Sequence, residues 1–178
     1  MPSQILYKGD QIKWGFNIPP DEKPLRWFKM LLLRDKDMEQ KVHDLTYIKE
    51  AREMLMKLNK SAEDVVADYL RLLWKHVLKD MKIALGHAAV DGQPFRVVIT
   101  FPSIWPLYAQ SRLRQAAYKA GISDHRQAGE TKLDLYPEAE AAALAFMDDF
   151  DGHPIEVRHS ILNHVMTKLT NSRVEIFS

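Results

Sequence analysis

Between Phe95 and Met147 the sequence alternates twice between strand-like and helix-like segments, and this order constrains the fold more than any other feature. Phe95-Arg96-Val97-Val98-Ile99-Thr100-Phe101 is rich in β-branched residues and lies between Pro94 and Pro102, so it reads as a strand with fixed ends. Leu107 to Ala120 reads as a helix stopped by Gly121. Leu133-Asp134-Leu135-Tyr136 is a candidate short strand, and Pro137 opens an alanine-rich helix from Glu138 to about Met147. Strand, helix, strand, helix in that order predicts an α/β fold.

The first half of the chain has a different pattern. Ile5-Leu6-Tyr7 leads into Lys8-Gly9-Asp10, after which Ile12, Trp14 and Phe16 alternate with polar residues or glycine. Two short strands around a turn are expected there. Asn17 to Asp21 breaks the pattern, Trp27 to Leu33 is too short to separate strand from helix by period, and Arg34 to Gln40 is a solvated connection. Leu45 to Leu58 reads as a helix. Ser61 is a suitable N-cap for the next one, with Glu63 and Asp64 in its first turn to complement the dipole. Val65, Val66, Tyr69, Leu70, Leu73, Val77, Leu78 and Met81 then recur at helical spacing as a core stripe, and Gly86 ends the run. Asp91 to Pro94 reads as a turn. After the acidic stretch Asp148 to Gly152, Pro154 begins a last amphipathic helix carrying Ile155, Ile161, Leu162, Val165, Met166 and Leu169.

Composition narrows the chemistry. The 178 residues are 46% hydrophobic and 28% charged, enough apolar mass for one ordinary core. A net charge of +1 gives no field favouring nucleic acid or an anionic membrane, so neither is an expected partner. Absence of cysteine removes disulfides, thiolate metal sites and a cysteine nucleophile together. The polar N-terminus offers no signal-peptide core, and Met30 to Leu33 is far too short to span a bilayer, which makes the cytoplasm the expected location.

Rival constellations are weak. Asp149 and Asp151-Gly152 fit a calcium loop only if its first and twelfth ligands were Met147 and Arg158. His159 and His164 lie five apart, the wrong spacing for one helical metal site, and no metal site is expected. Ser103 and Ser111 have no histidine nearby in sequence. Arg112, Arg114, Lys119 and Arg126 could form a basic strip, but pairing with the chain's own carboxylates is the favoured reading.

Three segments together resemble one family. Val97 to Ser103, then Arg114-Gln115-Ala116-Ala117-Tyr118-Lys119-Ala120-Gly121-Ile122, then Pro137-Glu138-Ala139-Glu140-Ala141-Ala142-Ala143 follow in order. The pattern is similar to the ATPase domain of heat shock protein 70 kDa chaperones: a strand ending in proline, an Arg-Gln-Ala helix ending Ala-Gly, and a Glu-Pro-Thr-Ala-Ala-Ala connecting helix. Tyr7-Lys8-Gly9-Asp10, Trp14-Gly15-Phe16 and Trp27-Phe28-Lys29 resemble divergent, fungal-type relatives of these chaperones. The resemblance implies an α/β, partial actin-like ATPase (ribonuclease H-like) lobe I with a helical subdomain over residues 1–147, followed by a divergent helical tail over 148–178.

The same resemblance implies roles. Glu138 stands where the family has a water-orienting glutamate, although a glutamate at a helix start also serves the dipole. Lys29 is the nearest candidate for the lysine that assists phosphoryl transfer. Pro102 and Arg114 match the pair that relays nucleotide state to a peptide-binding domain, which is not among these residues. ATP and Mg2+ are the expected ligands of the full family domain. Where the family reads Glu-Pro-Thr, this chain reads Glu138-Ala139-Glu140.

The glycines oppose nucleotide binding by this chain without any analogy. The seven stand at 9, 15, 86, 92, 121, 129 and 152, no two closer than six positions. A backbone that cradles phosphates needs several within one turn, for positive φ and close approach. The expected function is therefore a fragment of an ATP-dependent chaperone-like ATPase domain not competent for hydrolysis alone. The alternative is a non-catalytic module derived from that domain, binding protein partners.

Overall fold

A computed structural model describes residues 1–9 and 11–149. They form a mixture of helix and sheet, compatible with the α/β expectation. Two compact units are present. One comprises Met1–Val97 with Leu107–Leu133, the other Val98–Pro106 with Asp134–Ser178, of which the described part ends at Asp149. The helix expected from Pro154 through Ile155 to Leu169 lies outside the described residues, as does the acidic stretch after Asp149.

Strands β1 (Gln4–Lys8) and β2 (Gln11–Trp14) pair antiparallel, Ile5 opposite Trp14 and Lys8 opposite Gln11, as the alternation predicts. Strand β3 (Leu25–Arg26) adds to the other edge of β1. The alternation overreached by one position. Gly15 turns the chain at φ +57°, β2 stops at Trp14, and Phe16 sits in a 3-10 turn with 79% of its surface exposed. Trp27 to Leu33 proves neither strand nor helix: Met30–Leu32 is a 3-10 turn that buries Leu31 and Leu32. The connection from Arg34 to Gln40 is mostly exposed but structured around the 3-10 turn Asp35–Asp37, and it buries Met38. The Tyr108 hydroxyl accepts from the Arg34 amide at 2.9 Å and donates to Asp37 at 2.7 Å.

Helices α1 (Gln40–His43) and α2 (Thr46–Leu58) precede α3 (Ala62–Leu85). Ser61 caps α3 as its sequence predicts. Its hydroxyl accepts from the Asp64 amide at 3.1 Å while the Asp64 carboxylate accepts from the Ser61 amide at 3.0 Å, a reciprocal capping box. Gly86 ends α3 at φ +87°. The expected core stripe is fully buried only in the first half of this helix: Val65, Val66 and Tyr69 are buried, Leu70, Leu73, Leu78 and Met81 are half-buried, and Val77 is exposed. Length explains the difference. Helix α5 (Leu107–Lys119), which packs against α3, has 13 residues to its 24, about 20 Å against 36 Å. A short helix absent from the sequence reading, α4 (His87–Gly92), folds back on α3 where a plain turn was expected from Asp91.

Strand β4 (Arg96–Phe101) lies where the β-branched run predicts it and pairs with β7 (Lys132–Pro137). Between them come α5, ended by Gly121 at φ +80°, and a two-residue hairpin, β5 (His125–Arg126) with β6 (Gly129–Glu130). Helix α6 (Glu138–Asp149) follows β7 directly.

One buried carboxylate ties β1 to α3. Asp68 is 8% exposed. It accepts from the Tyr7 hydroxyl at 2.9 Å, from Lys60 at 2.9 Å and from Arg71 at 2.6 Å. Arg71 also donates to the Lys119 carbonyl at 3.0 Å, which extends the network to the end of α5. Burial pushes the Asp68 carboxyl up, but the three donors outweigh it and hold the group below its ordinary value. Burial, then the bond to Asp68, raises the Tyr7 phenol far above its usual range. Hydrogen bonds from Lys119 and Ser61 hold Asp64 well below the carboxylate range.

Asp68→Ala should cost about 3 kcal/mol in urea unfolding, the low end for breaking a buried charge pair because Lys60 and Arg71 can recover water. Both carboxyls are lowered in the folded state, so their stabilisation is present above the unfolded value of about 4 and is lost as pH falls through the folded values. The urea midpoint should therefore drop in acid, and it should drop less steeply for Asp68→Asn. An Asp68→Asn acid profile parallel to the parent's would show that this group carries none of the linkage.

Candidate functional site

The residues singled out by sequence fall into the two units. Lys29 and Arg114 belong to the first, Pro102 and Glu138 to the second. Pro102 ends β4, and its carbonyl accepts from the Trp105 amide at 2.9 Å in a tight turn. Glu138 is the first residue of α6, exposed, immediately after the last residue of β7. With Glu140 it places two carboxylates in the first helical turn, where the N–H groups favour negative charge.

Arg114 donates to the Leu133 carbonyl at 3.3 Å, joining α5 to β7. Arg112, not Arg114, reaches the segment after Lys29, donating to the Leu32 carbonyl at 2.9 Å. The basic strip considered from sequence is consumed by internal contacts. Arg112 pairs with Glu63 at 3.0 Å and Lys119 with Asp64. Arg126 donates to the carbonyls of Val90 and Gln93 and lies 3.9 Å from the Phe95 ring centroid. Among the described residues no three His, Asp or Glu side chains are grouped to hold a metal ion.

One concavity in the first unit holds Lys29. It is a cleft of about 700 Å³ within the range of small-ligand sites. Its apolar wall includes Phe16, Trp27, Phe28 and Met30, and among the described residues its ionisable side chains are Arg26 and Lys29. Gln4 holds the rim: its amide nitrogen donates to the Gly15 carbonyl at 2.8 Å while its oxygen accepts from Arg26 Nε at 3.0 Å. Trp27 has φ +62°, a conformation that bulky side chains rarely adopt. Its ring stacks on Tyr47 of α2, centroids 4.7 Å apart and planes 26° apart, and it also lines a second, smaller hollow beside α2.

Sequence reasoning picked out Lys29 but missed Arg26, Gln4, Phe16 and the strained Trp27. An Arg-Trp-Phe-Lys run flags a mixed basic and aromatic surface, yet nothing local marks the left-handed backbone at its second residue.

No family model matches the chain, and no solved structure matches it. It is 31% identical over 104 residues to human heat shock 70 kDa protein 12B, covering 57% of this chain and 15% of that protein. It is 32% identical over 78 residues to human heat shock 70 kDa protein 12A, covering 44% of this chain and 11% of the relative. These likenesses support a distant relation to the 70 kDa heat-shock proteins.

Trp27→Gly sets two effects against each other. Glycine relieves a left-handed backbone strain of about 1–2 kcal/mol, while losing the Tyr47 stack removes about 0.5–1.5 kcal/mol. Unfolding by urea should change by less than about 1 kcal/mol, against the 3–5 kcal/mol typical of truncating a packed core tryptophan. A core-sized loss would show that the ring supports the fold.

Proposed function

We propose that the chain carries part of lobe I of an actin-like ATPase domain of the 70 kDa heat-shock type, and that it does not hydrolyse ATP by itself. The supporting observation is the partial likeness to the two human heat-shock relatives, joined with the order β4, α5, β7, α6. Ancestral work of this kind is ATP-dependent chaperoning in the cytoplasm. Glu138 then occupies the position of a water-orienting carboxylate, Lys29 that of a phosphoryl-transfer lysine, and Pro102 with Arg114 that of a relay.

The residues present do not fit a phosphate grip. Gly9, Gly15, Gly86, Gly121 and Gly129 have positive φ, but each serves a separate turn, and no two of the seven glycines are closer than six positions in sequence. Mg-ATP is thus a ligand of the family domain that these 178 residues cannot hold by backbone. Glu138 is better described as a remnant of a catalytic position.

A second reading is favoured by one feature. The exposed far half of α3 presents Leu78 and Ile83 in a groove of about 440 Å³ rimmed by Lys75, Lys79 and Lys82. An apolar strip of this kind, open among the described residues, suits a non-catalytic module that binds protein.

Calorimetric titration with Mg-ATP should give no saturable heat, and phosphate release should stay at the buffer rate for both the parent and Glu138→Gln. Turnover that Glu138→Gln abolishes would overturn the proposed inactivity. Tight Mg-ATP binding would remove the second reading in its simple form.

A further inference from the structure

Where α3 ends and α4 begins, the chain exposes apolar surface that only Gly86 and His87 interrupt. Every residue from Ile83 to Ala89 is exposed, and Ile83, Ala84, Leu85, Ala88 and Ala89 are apolar, with Ile83 at 74% and Leu85 at 63%. Clustered exposure of this kind marks a contact face, whereas single exposed apolar residues do not. The corner is firmly built. Lys82 pairs with Asp91 at 2.9 Å across the two helices, Val90 is buried, and Arg126 donates to the Val90 and Gln93 carbonyls at the end of α4. Beside it runs the groove of about 440 Å³, lined on α3 by Lys75, Leu78, Lys79, Lys82 and Ile83. Those positions follow the i, i+3, i+4, i+7, i+8 spacing of one helical face, about 12 Å long, the kind of surface on which a second helix packs.

We propose, resting on the protein-binding reading of α3, that this face takes an acidic amphipathic helix of a partner protein. Apolar side chains of the incoming helix cover Leu78 and Ile83, and that burial supplies most of the binding free energy. Carboxylates flanking its apolar stripe meet Lys75 and Lys79, one turn apart on the rim, as flanking charges select partners in paired helices. Lys82 also faces Asp91, so Lys75 and Lys79 chiefly set the preference. A second copy of the chain fits poorly, because two such faces would bring lysines together.

The probes are two designed peptides of about 20 residues, long enough to be helical alone, titrated into the full chain at low salt. Both carry the same leucine stripe, flanked by glutamates in one and by glutamines in the other. One saturable site is expected for the acidic peptide, with the glutamine peptide about fivefold weaker, the worth of two surface ion pairs. The double variant Lys75→Gln, Lys79→Gln should weaken the acidic peptide about fivefold and leave the glutamine peptide unchanged. Ile83→Ser should weaken both peptides; because Ile83 is largely exposed, this change leaves the core intact, and a melting temperature equal to the parent's checks it. Equal affinity for the two peptides, both lost in folded Ile83→Ser, would overturn the acidic partner and leave the protein-binding reading standing. No saturable binding of either peptide, or affinity unmoved by Ile83→Ser, would remove both. Ile83-dependent dimerisation in sedimentation, or Ile83-dependent binding to phosphatidylserine vesicles without peptide binding, would overturn the proposal in favour of a second copy or a membrane.

Discussion

The carboxylate of Asp68 is the contact on which the rest of the first unit depends. A charged group 8% exposed is tolerable only when its lone pairs are satisfied, and here three donors from three places do so. Tyr7 comes from β1, Lys60 from the turn before α3, and Arg71 from the next turn of α3 itself. Arg71 then passes the constraint to α5 through the Lys119 carbonyl. Non-directional apolar packing could let β1 slide along α3. The directional Tyr7–Asp68 hydrogen bond opposes that, made to a carboxylate that Lys60 and Arg71 hold in place.

Around that hub the apolar packing is continuous. Tyr69, the next residue, lies edge-on to Trp14 at 5.8 Å and tilted against Phe28 at 5.5 Å, so the sheet and the Trp27–Leu33 segment share one helical face. The segment that carries Lys29 is therefore rigid where Phe28 and Leu32 are buried and open where Arg26 and Trp27 face solvent. A cleft with one firm wall and one exposed wall follows from this alternation.

Much of the fold was legible because its signals are local. The Ser61 capping box, the β-branched run of β4 between prolines, the stop at Gly121 and the start of α6 after Pro137 each depend on neighbours within four residues. The failures are equally instructive. Phe16 continued a strand period that Gly15 had already broken, and Val77 continued a core stripe beyond the reach of the shorter α5. Trp27 to Leu33 had apolar content but no period, and its outcome, a 3-10 turn, was decided by what buries Leu31 and Leu32. Among the candidate residues, Lys29 lines a cleft and Arg114 donates to the Leu133 carbonyl, while Arg112, Lys119 and Arg126 of the supposed basic strip have internal partners.

What the sequence determined by itself was the elements with strong local signals and the spacing of its glycines. Helix caps, strand runs and turns are short-range, and so is the glycine clustering that a phosphate cradle uses; the seven glycines here stand no closer than six positions apart. Tertiary structure alone decided which charged and polar groups pair with one another. Tyr7 and Asp68 are 61 positions apart, Tyr108 and Asp37 are 71, and Arg112 and Leu32 are 80. No local pattern encodes such pairs. They exist because packing β1 and α5 on α3 brings donors to acceptors that must be satisfied once water is removed.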